Sequence, residues 1–447
     1  MIVIVGLIFV AIHVWGSSGS HGLGWDESVY IGMAKWLGSA GELGLYEPIR
    51  PLALPFLIAY GWILGLDPVG LGLALELIAG LAALVGIYEL TRSCAGQRPA
   101  VLATVVLATT PVFFFSATDV LTEVPSLAAI VWALVFVGKQ RSWAAGLCAG
   151  LAVAMKFPNM LLLALLIVVV HSWGAKWRIF AASALLIIPH MVVNLIMTES
   201  LLRPLFLAAR HGQNMVHAIP GTLNNLVYYP AALIKDNPLF LCAVVGGALV
   251  MITKGYQKQV MQLMLLQGAS YLAYFTWIPN KQLRFALLFI PMFVVLTGVG
   301  IDWVSRKAKM SRASIVVLAI IVGAILVVSS IARYARQESD RPGAIDILRE
   351  INGPILTTDP IVAVDLDKRF IPFYFFVYDE KNATQVFEEH EQEAQAVVWW
   401  PQAFACDKYP GRGCEEMVGA IERRLNADWR LILDTLVDGG RYQIYKK

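Results

Sequence analysis

The chain has 447 residues, of which 58% are hydrophobic and only 15% charged, with a mean hydropathy of +0.65. That composition excludes an ordinary soluble enzyme and describes a polytopic membrane protein. A net charge of +3 excludes the electrostatic footprint of a nucleic-acid binder, and the five cysteines show no metal-ligand spacing.

Met1 to Trp15 is apolar, has no preceding basic region and no small-residue cleavage site, and reads as an uncleaved first span. The polar loop Gly24-Trp25-Asp26-Glu27-Ser28-Val29-Tyr30 then sets two adjacent carboxylates at the mouth of a mostly hydrocarbon sequence. Such a pair at a membrane interface is costly unless it faces water, a cation or a substrate, which marks a functional site. The plainer reading is a solvated loop in which Asp26 caps the following helix. Leu52 to Leu66 is interrupted by Pro55, Gly61 and Gly65. It falls short of the ~20 residues needed to cross, and reads as a helix lying at the interface.

Further spans are predicted at Val69–Leu90, Ala100–Phe115, Val120–Val137, Trp143–Met155, Pro158–Ser172, Ile179–Met197, Leu239–Ile252, Val260–Trp277, Phe285–Trp303 and Ala313–Ile331. Arg92/Arg98, Lys139/Arg141, Lys176/Arg178, Lys254/Lys258 and Arg306/Lys307/Lys309/Arg312 occupy alternate connectors, which the positive-inside rule makes cytoplasmic. If Leu52–Leu66 does not cross, all five basic connectors fall on one side. The expected topology is therefore eleven spans, with the amino terminus inside and the carboxy-terminal part outside.

This topology gathers Asp26/Glu27, Arg50, Asp119/Glu123, Lys156, the loop Glu199–Asp236 and Lys281/Arg284 on the external face. Asp119 and Glu123 would share one face of a helix starting there, with Asp119 as an N-cap in the plainer reading. Lys156 reads either as a ligand or as a snorkelling anchor. Lys281 and Arg284 are spaced so that one helical turn would offer both to a single anion, or would simply anchor the chain at the interface. Cations suit a phosphate leaving group, and a carboxylate suits deprotonation of an acceptor hydroxyl. A polyprenyl-phosphate sugar, with its anionic head at the interface and its tail in lipid, fits both.

Taken together, Trp25-Asp26-Glu27-Ser28-Val29-Tyr30 with Ala34, Arg50-Pro51-Leu52, Leu121-Thr122-Glu123-Val124-Pro125, Gly150-Leu151-Ala152 with Met155-Lys156, and Arg284-Phe285 with Pro291 carry a resemblance. The chain resembles, over roughly residues 1 to 330, the dolichyl-phosphate-mannose protein mannosyltransferase and aminoarabinose-transferase branch of the glycosyltransferase C superfamily. The resemblance implies Asp26 as catalytic base, Glu123 as second external acid, and Arg50, Lys156 and Arg284 on the carrier phosphate. Two departures, Pro51-Leu52 where Pro-Pro is usual and Glu123 where Asp is commoner, bear on which sugar and acceptor fit.

The expected activity is an inverting transfer of a sugar from a polyprenyl-phosphate donor to an extracytoplasmic hydroxyl of a protein, glycan or lipid acceptor. Asp26, Glu27, Glu123 and Asp119 form the catalytic set, and Arg50, Lys156, Arg284 and Lys281 the phosphate-binding set. No cofactor is expected; the acids offer an alternative divalent-cation site, but the donor already has cationic partners. The alternative function, a secondary transporter or lipid-linked sugar flippase, would show repeated halves and mid-span charges, neither of which is apparent.

Elsewhere, His211 and His217 read as solvated loop residues or as helpers to a metal or second acid. His190 and Asn194 read as a satisfied polar pair between helices, and Tyr228-Tyr229 as part of the aromatic belt. Arg333–Asp340 is a charged connector. After it, strands are predicted at Ile355–Val364, Ile371–Val377, Ala396–Trp400, Trp429–Thr435 and Arg441–Tyr445, and helices at Ala383–Ala394 and Glu415–Asn426. The expected fold class is an all-α polytopic membrane domain (residues 1–335), with about eleven spans and interfacial helices in the first external loop. A small soluble α/β domain (residues 340–447) follows, assigned either to acceptor contact and capping of the site or to folding and assembly alone.

Overall fold

The computed structural model describes residues 2–17, 23–214, 222–253, 259–334, 341, 343–375, 377–378, 381–408 and 413–447. His217, Lys254, Lys258 and most of the Arg333–Asp340 connector lie outside the described residues. Helix α1 (Ile2–Ser17) precedes the first loop, which contains α2 (Trp25–Gly38) and α3 (Ala53–Ile63). The helical body continues through α4 (Pro68–Ala95), α5 (Gln97–Ala108), α6 (Pro111–Ala117), α7 (Glu123–Gly138), α8 (Ser142–Met155), α9 (Met160–Val169), α10 (Trp173–Thr198), α11 (Arg203–Asn214) and α12 (Thr222–Asp236). It ends with α13 (Cys242–Ile252), α14 (Gln259–Trp277), α15 (Ile290–Lys307) and α16 (Arg312–Tyr334).

Each predicted span corresponds to helix. Among the described residues, however, only α4, with 28 residues, and α10, with 26, are single helices long and apolar enough to cross a membrane by themselves. The span expected as Ala100–Phe115 is two helices, α5 and α6, bent by 63° at Thr109–Pro111. Proline has no N–H for the helical ladder, and the break is stitched by side chains instead. Asp236 accepts the Val112 N–H at 2.9 Å, and Asn237 donates to the Thr110 hydroxyl at 3.1 Å. The 11-residue α3 extends for only about 16 Å, half of a ~30 Å hydrocarbon layer.

Small residues let helices meet backbone to backbone. A Cβ on Gly246 would come to 1.9 Å from the Leu296 carbonyl, and one on Gly300 to 2.0 Å from that of Cys242, so α13 and α15 pack at a distance that only glycine permits. The basic connectors gather at one end of this body. Lys139 reaches Glu89 at 3.3 Å, Arg92 reaches the same carboxylate at 2.9 Å, and Arg98 pairs with Asp302 at 2.8 Å. Helix α7 runs from Glu123 to this end, and α8 runs back from it to Lys156. The site charges therefore sit at the opposite end.

The carboxy-terminal part begins with α17 (Ala344–Glu350) and holds strands β1 (Ile355–Thr357), β2 (Phe370–Pro372), β3 (Val377–Tyr378), β4 (Lys381–Asn382), β5 (Ala396–Trp399), β6 (Arg430–Val437) and β7 (Gly440–Lys446). Between them lie α18 (Val362–Asp365), α19 (Ala383–His390) and α20 (Cys414–Asp428). The main sheet has order β2-β1-β5-β7-β6, parallel at β2-β1-β5 and antiparallel through β7 to β6. The strand expected over Ile355–Val364 stops at Thr357, where the Thr357 hydroxyl and Asp359 close a turn before Pro360, and α18 takes the rest. Ile371–Val377 is likewise only partly strand. Cys406 and Cys414 are joined by a disulfide.

Helix α2 lies between these two parts. Its Val29 and Met33, with Leu45 and Leu52, share a core with Leu348, Ile355, Phe370, Val398 and Tyr442. Tyr30 and Ala34, on another side of α2, pack instead on Leu54, Ile58, Val120, Leu121 and Met155. The loop also extends the sheet: Gly44 donates to Lys368 at 2.7 Å and accepts from Phe370 at 2.8 Å, alongside β2. Gly44 has φ +74°, and a Cβ there would meet the Gly32 carbonyl at 2.1 Å, so this position requires glycine.

Candidate active site

The site is assembled from side chains that separate segments deliver to one cavity of about 840 Å³. Asp26 stands in the first turn of α2, Arg50 in the turn before α3, Glu123 at the start of α7, Lys156 just after α8, and Arg284 in the 3-10 turn Leu283–Leu288 before α15. All five line the cavity.

They form a chain of alternating charge. Glu47 accepts from Arg50 Nε at 2.8 Å, and Arg50 Nη2 donates to Asp26 Oδ1 at 2.6 Å. Arg284 Nη2 donates to the other oxygen of Asp26, while its Nε lies 3.5 Å from Glu123 Oε1. Lys156 Nζ closes the series on Glu123 Oε1 at 2.7 Å. Burial alone would raise the Asp26 carboxyl, but Arg50 and Arg284 outweigh it and hold the group far below the usual carboxylate range. Glu47, completely buried with a single guanidinium and one hydroxyl as partners, is raised by burial, and Arg50 offsets this only in part.

Aromatic faces back the cations. Arg50 lies 5.6 Å from the centre of the Tyr30 ring, and Lys156 4.8 Å from that of Phe285. Met160, Leu161, Leu205, Tyr274, Phe275 and Ile278 give the cavity an apolar flank from the helical body. Trp25, Tyr374, Phe375, Trp400 and Gln402 form another flank, supplied mostly by the carboxy-terminal domain. Trp25 stands edge-on to Tyr374 with ring centres 4.7 Å apart.

Two predicted site residues, Asp119 and Lys281, are placed differently from expectation, and a third, Glu27, has an additional partner. Glu27 lines the cavity, yet its carboxylate accepts the Gly24 N–H and so performs the capping considered for Asp26. Asp119 does not share a helical face with Glu123, because α7 begins at Glu123 itself; Asp119 lies in the preceding turn, off the cavity wall. Lys281 donates to the carbonyls of Phe275 and Thr276 at 2.6 and 2.7 Å, closing the carboxy end of α14. Gln282 is extended, so no helical turn unites Lys281 with Arg284.

Other polar expectations resolve individually. His211 lines the cavity against Phe375, with ring centres 5.0 Å apart. His190 accepts the Leu52 N–H at 3.2 Å and so fixes the end of the first loop to α10. Tyr229 belongs to no interfacial belt: it is fully buried against Phe275 and Phe289. Sequence reasoning missed Glu47, whose spacing of three before Arg50 was the available signal. It also missed Glu76, which accepts the Leu121 N–H at 3.1 Å beside the start of α7. Among the described residues, no group of three or more His, Cys, Asp or Glu side chains could hold a metal ion.

Comparison with known proteins places this architecture. A family model described as dolichyl-phosphate-mannose-protein mannosyltransferase matches residues 50–199, and one described as the Alg9-like mannosyltransferase family matches residues 218–357. No curated protein matches the sequence. Among solved structures, ArnT from Cupriavidus metallidurans bound to undecaprenyl phosphate superposes with a TM-score of 0.66 at 12% identity, over 98% of this chain and 97% of that one. The oligosaccharyltransferase AglB from Archaeoglobus fulgidus, in complex with an inhibitory peptide and a dolichol-phosphate, gives 0.61 at 14% identity over 90% and 69%. The arabinofuranosyltransferase AftD from Mycobacteria gives 0.57 at 11% over all of this chain and 39% of that one. The fold is that of the C-type glycosyltransferases, as the sequence resemblance implies.

Proposed function

We infer that this membrane glycosyltransferase of the C type takes a sugar from a polyprenyl-phosphate donor and passes it, outside the cytoplasm, to an acceptor hydroxyl with inversion. The observation that carries the reading is the alternating series Glu47, Arg50, Asp26, Arg284, Glu123, Lys156 at a cavity with one apolar flank. Buried ion pairs are poor stabilisers compared with apolar packing, so a series of this length argues for a task beyond folding. Three cations at the mouth of an apolar wall suit a phosphate whose chain lies in lipid.

In the reaction the acceptor oxygen attacks the anomeric carbon from the face opposite the phosphate, the bond from that carbon to the phosphate oxygen breaks, and the acceptor proton passes to Asp26. A carboxylate with both oxygens held by guanidinium groups is a weak base. The incoming phosphate competes for Arg50 and Arg284, and drawing them from Asp26 restores its basicity where the acceptor must lose its proton. Arg50, Arg284 and Lys156 then stabilise the departing polyprenyl phosphate. Glu27 and Glu123 orient acceptor or sugar hydroxyls. The related bound ligands, undecaprenyl phosphate in ArnT and dolichol-phosphate in AglB, support a carrier of this class.

The basic connectors at the end opposite the site support an eleven-span, extracytoplasmic arrangement, as does the Cys406–Cys414 disulfide, a bond of oxidising compartments. Single cysteines at Gln262 and Asn382 should be labelled from the cytoplasm and from outside respectively. Labelling of both from one side overturns the arrangement. The activity itself is tested by incubating purified protein with a panel of polyprenyl-phosphate sugars and following donor consumption and acceptor mass. No consumption of any donor, with any acceptor class, refutes it.

A further inference from the structure

We propose that Glu47 and Tyr374 are positioning residues for Arg50, through which the carboxy-terminal domain sets the geometry of the phosphate site. The proposal rests on the reading of Arg50 as a ligand of the donor phosphate. Glu47 does not line the cavity; it stands behind Arg50 with its side chain completely shielded from water. Its two oxygens are divided between two partners: Oε1 takes Arg50 Nε at 2.8 Å, and Oε2 takes the Tyr374 hydroxyl at 2.7 Å. A carboxylate removed from water must have both oxygens satisfied, so each partner fixes the other's place.

The guanidinium is planar and rigid, so holding its Nε at Glu47 aims its Nη2 away from the domain core and at Asp26, 2.6 Å away. When phosphate displaces Asp26, the same clamp keeps the arginine head at the cavity. Tyr374 is itself immobile: it is 1% exposed, follows β2, and meets Trp25 edge-on. Strand β2 is tied to the first loop through Gly44. The path from sheet to phosphate site is therefore continuous: β2, Tyr374, Glu47, Arg50.

A role for Glu47 that rests on charge alone, merely neutralising Arg50, predicts the opposite sign. Removing a negative charge would then tighten an anion, whereas removing a clamp weakens it. The test titrates undecaprenyl phosphate into the purified full-length protein, reading fluorescence of tryptophans at the cavity, with Tm measured in parallel. Tyr374→Phe and Glu47→Gln should each raise Kd about 5- to 10-fold, and both effects should vanish in an Arg50→Ala background, as coupled residues require. Steady-state assays with the active donor should show a raised KM together with a lowered kcat, because Arg50 both holds the phosphate and stabilises it as it departs.

Tighter binding by Glu47→Gln overturns the positioning role, as does a lowered Tm with unchanged Kd in Tyr374→Phe. Losses that persist undiminished in the Arg50→Ala background also overturn it, because the residues would then act elsewhere. Should Arg50→Ala bind undecaprenyl phosphate like the unaltered protein, the phosphate reading beneath the proposal fails instead.

Discussion

The two ends of the helical body hold charge in different ways. At the basic end, Lys139 and Arg92 meet Glu89 with side chains 45% and 52% exposed, so water already solvates the pair and either cation can leave at little cost. At the other end, Asp26, Arg50, Arg284, Glu123 and Lys156 keep at most 23% of their side-chain surface, and their partners come from distant segments. Breaking a buried pair strands a charge, which is far more costly than losing an exposed one. Burial alone does not mark the site, because Arg98 and Asp302 at the basic end are only 21% and 4% exposed; the other end is distinguished by five charges from separate segments meeting at one cavity, the feature on which the proposed chemistry rests.

The strongest way to break this comparison is at the proposed base. Asp26→Asn keeps the size of the side chain and one of its two acceptor oxygens but cannot take a proton, so turnover should fall by about 10² to 10⁴ while undecaprenyl phosphate still binds. Full activity in this variant beside a dead Glu27→Gln would move the base to Glu27. Next come the cations: Arg50→Ala or Arg284→Ala should weaken donor use by about 1.5 to 3 kcal/mol, measured as kcat/KM for the lipid donor. Lys139→Ala, at the solvated end, should change stability by under about 1 kcal/mol and leave turnover unaltered, as read by thermal unfolding and the same assay. The smallest effect is expected from EDTA, because both acids nearest the reaction are already paired with cations. Turnover lost to EDTA and restored by Mn²⁺ would revive the divalent-cation alternative.

Much of this site was legible because charge is scarce in the chain: an acid or arginine at the edge of an apolar run is conspicuous, and five such residues do converge. Spacing was less informative where local backbone broke the helix. Lys281 resembles Arg284 in sequence, but the extended backbone at Gln282 turns the lysine back onto α14. Asp119 fails in the same way, because α7 starts four residues later than a shared face requires. Glu47 was only half legible: its spacing before Arg50 can be read locally, but its other partner, Tyr374, is 327 residues away. The helices themselves were readable from hydropathy, whereas the bend between α5 and α6 depends on Pro111 together with distant Asp236 and Asn237. Tyr229 looked interfacial, and only tertiary packing buries it.

The seating of the first loop against the last domain sets a timetable for biogenesis. Glu47 leaves the ribosome early, but its hydroxyl partner follows 327 residues later. At a synthesis rate of ~5–20 residues per second, that interval lasts roughly 15 to 65 seconds. Throughout it, the first loop lacks both the sheet edge that Gly44 joins and the hydroxyl that completes the Glu47 clamp on Arg50. On the positioning role proposed for Glu47 and Tyr374, a chain stalled or clipped within the last domain should hold the donor phosphate more weakly than the full-length protein.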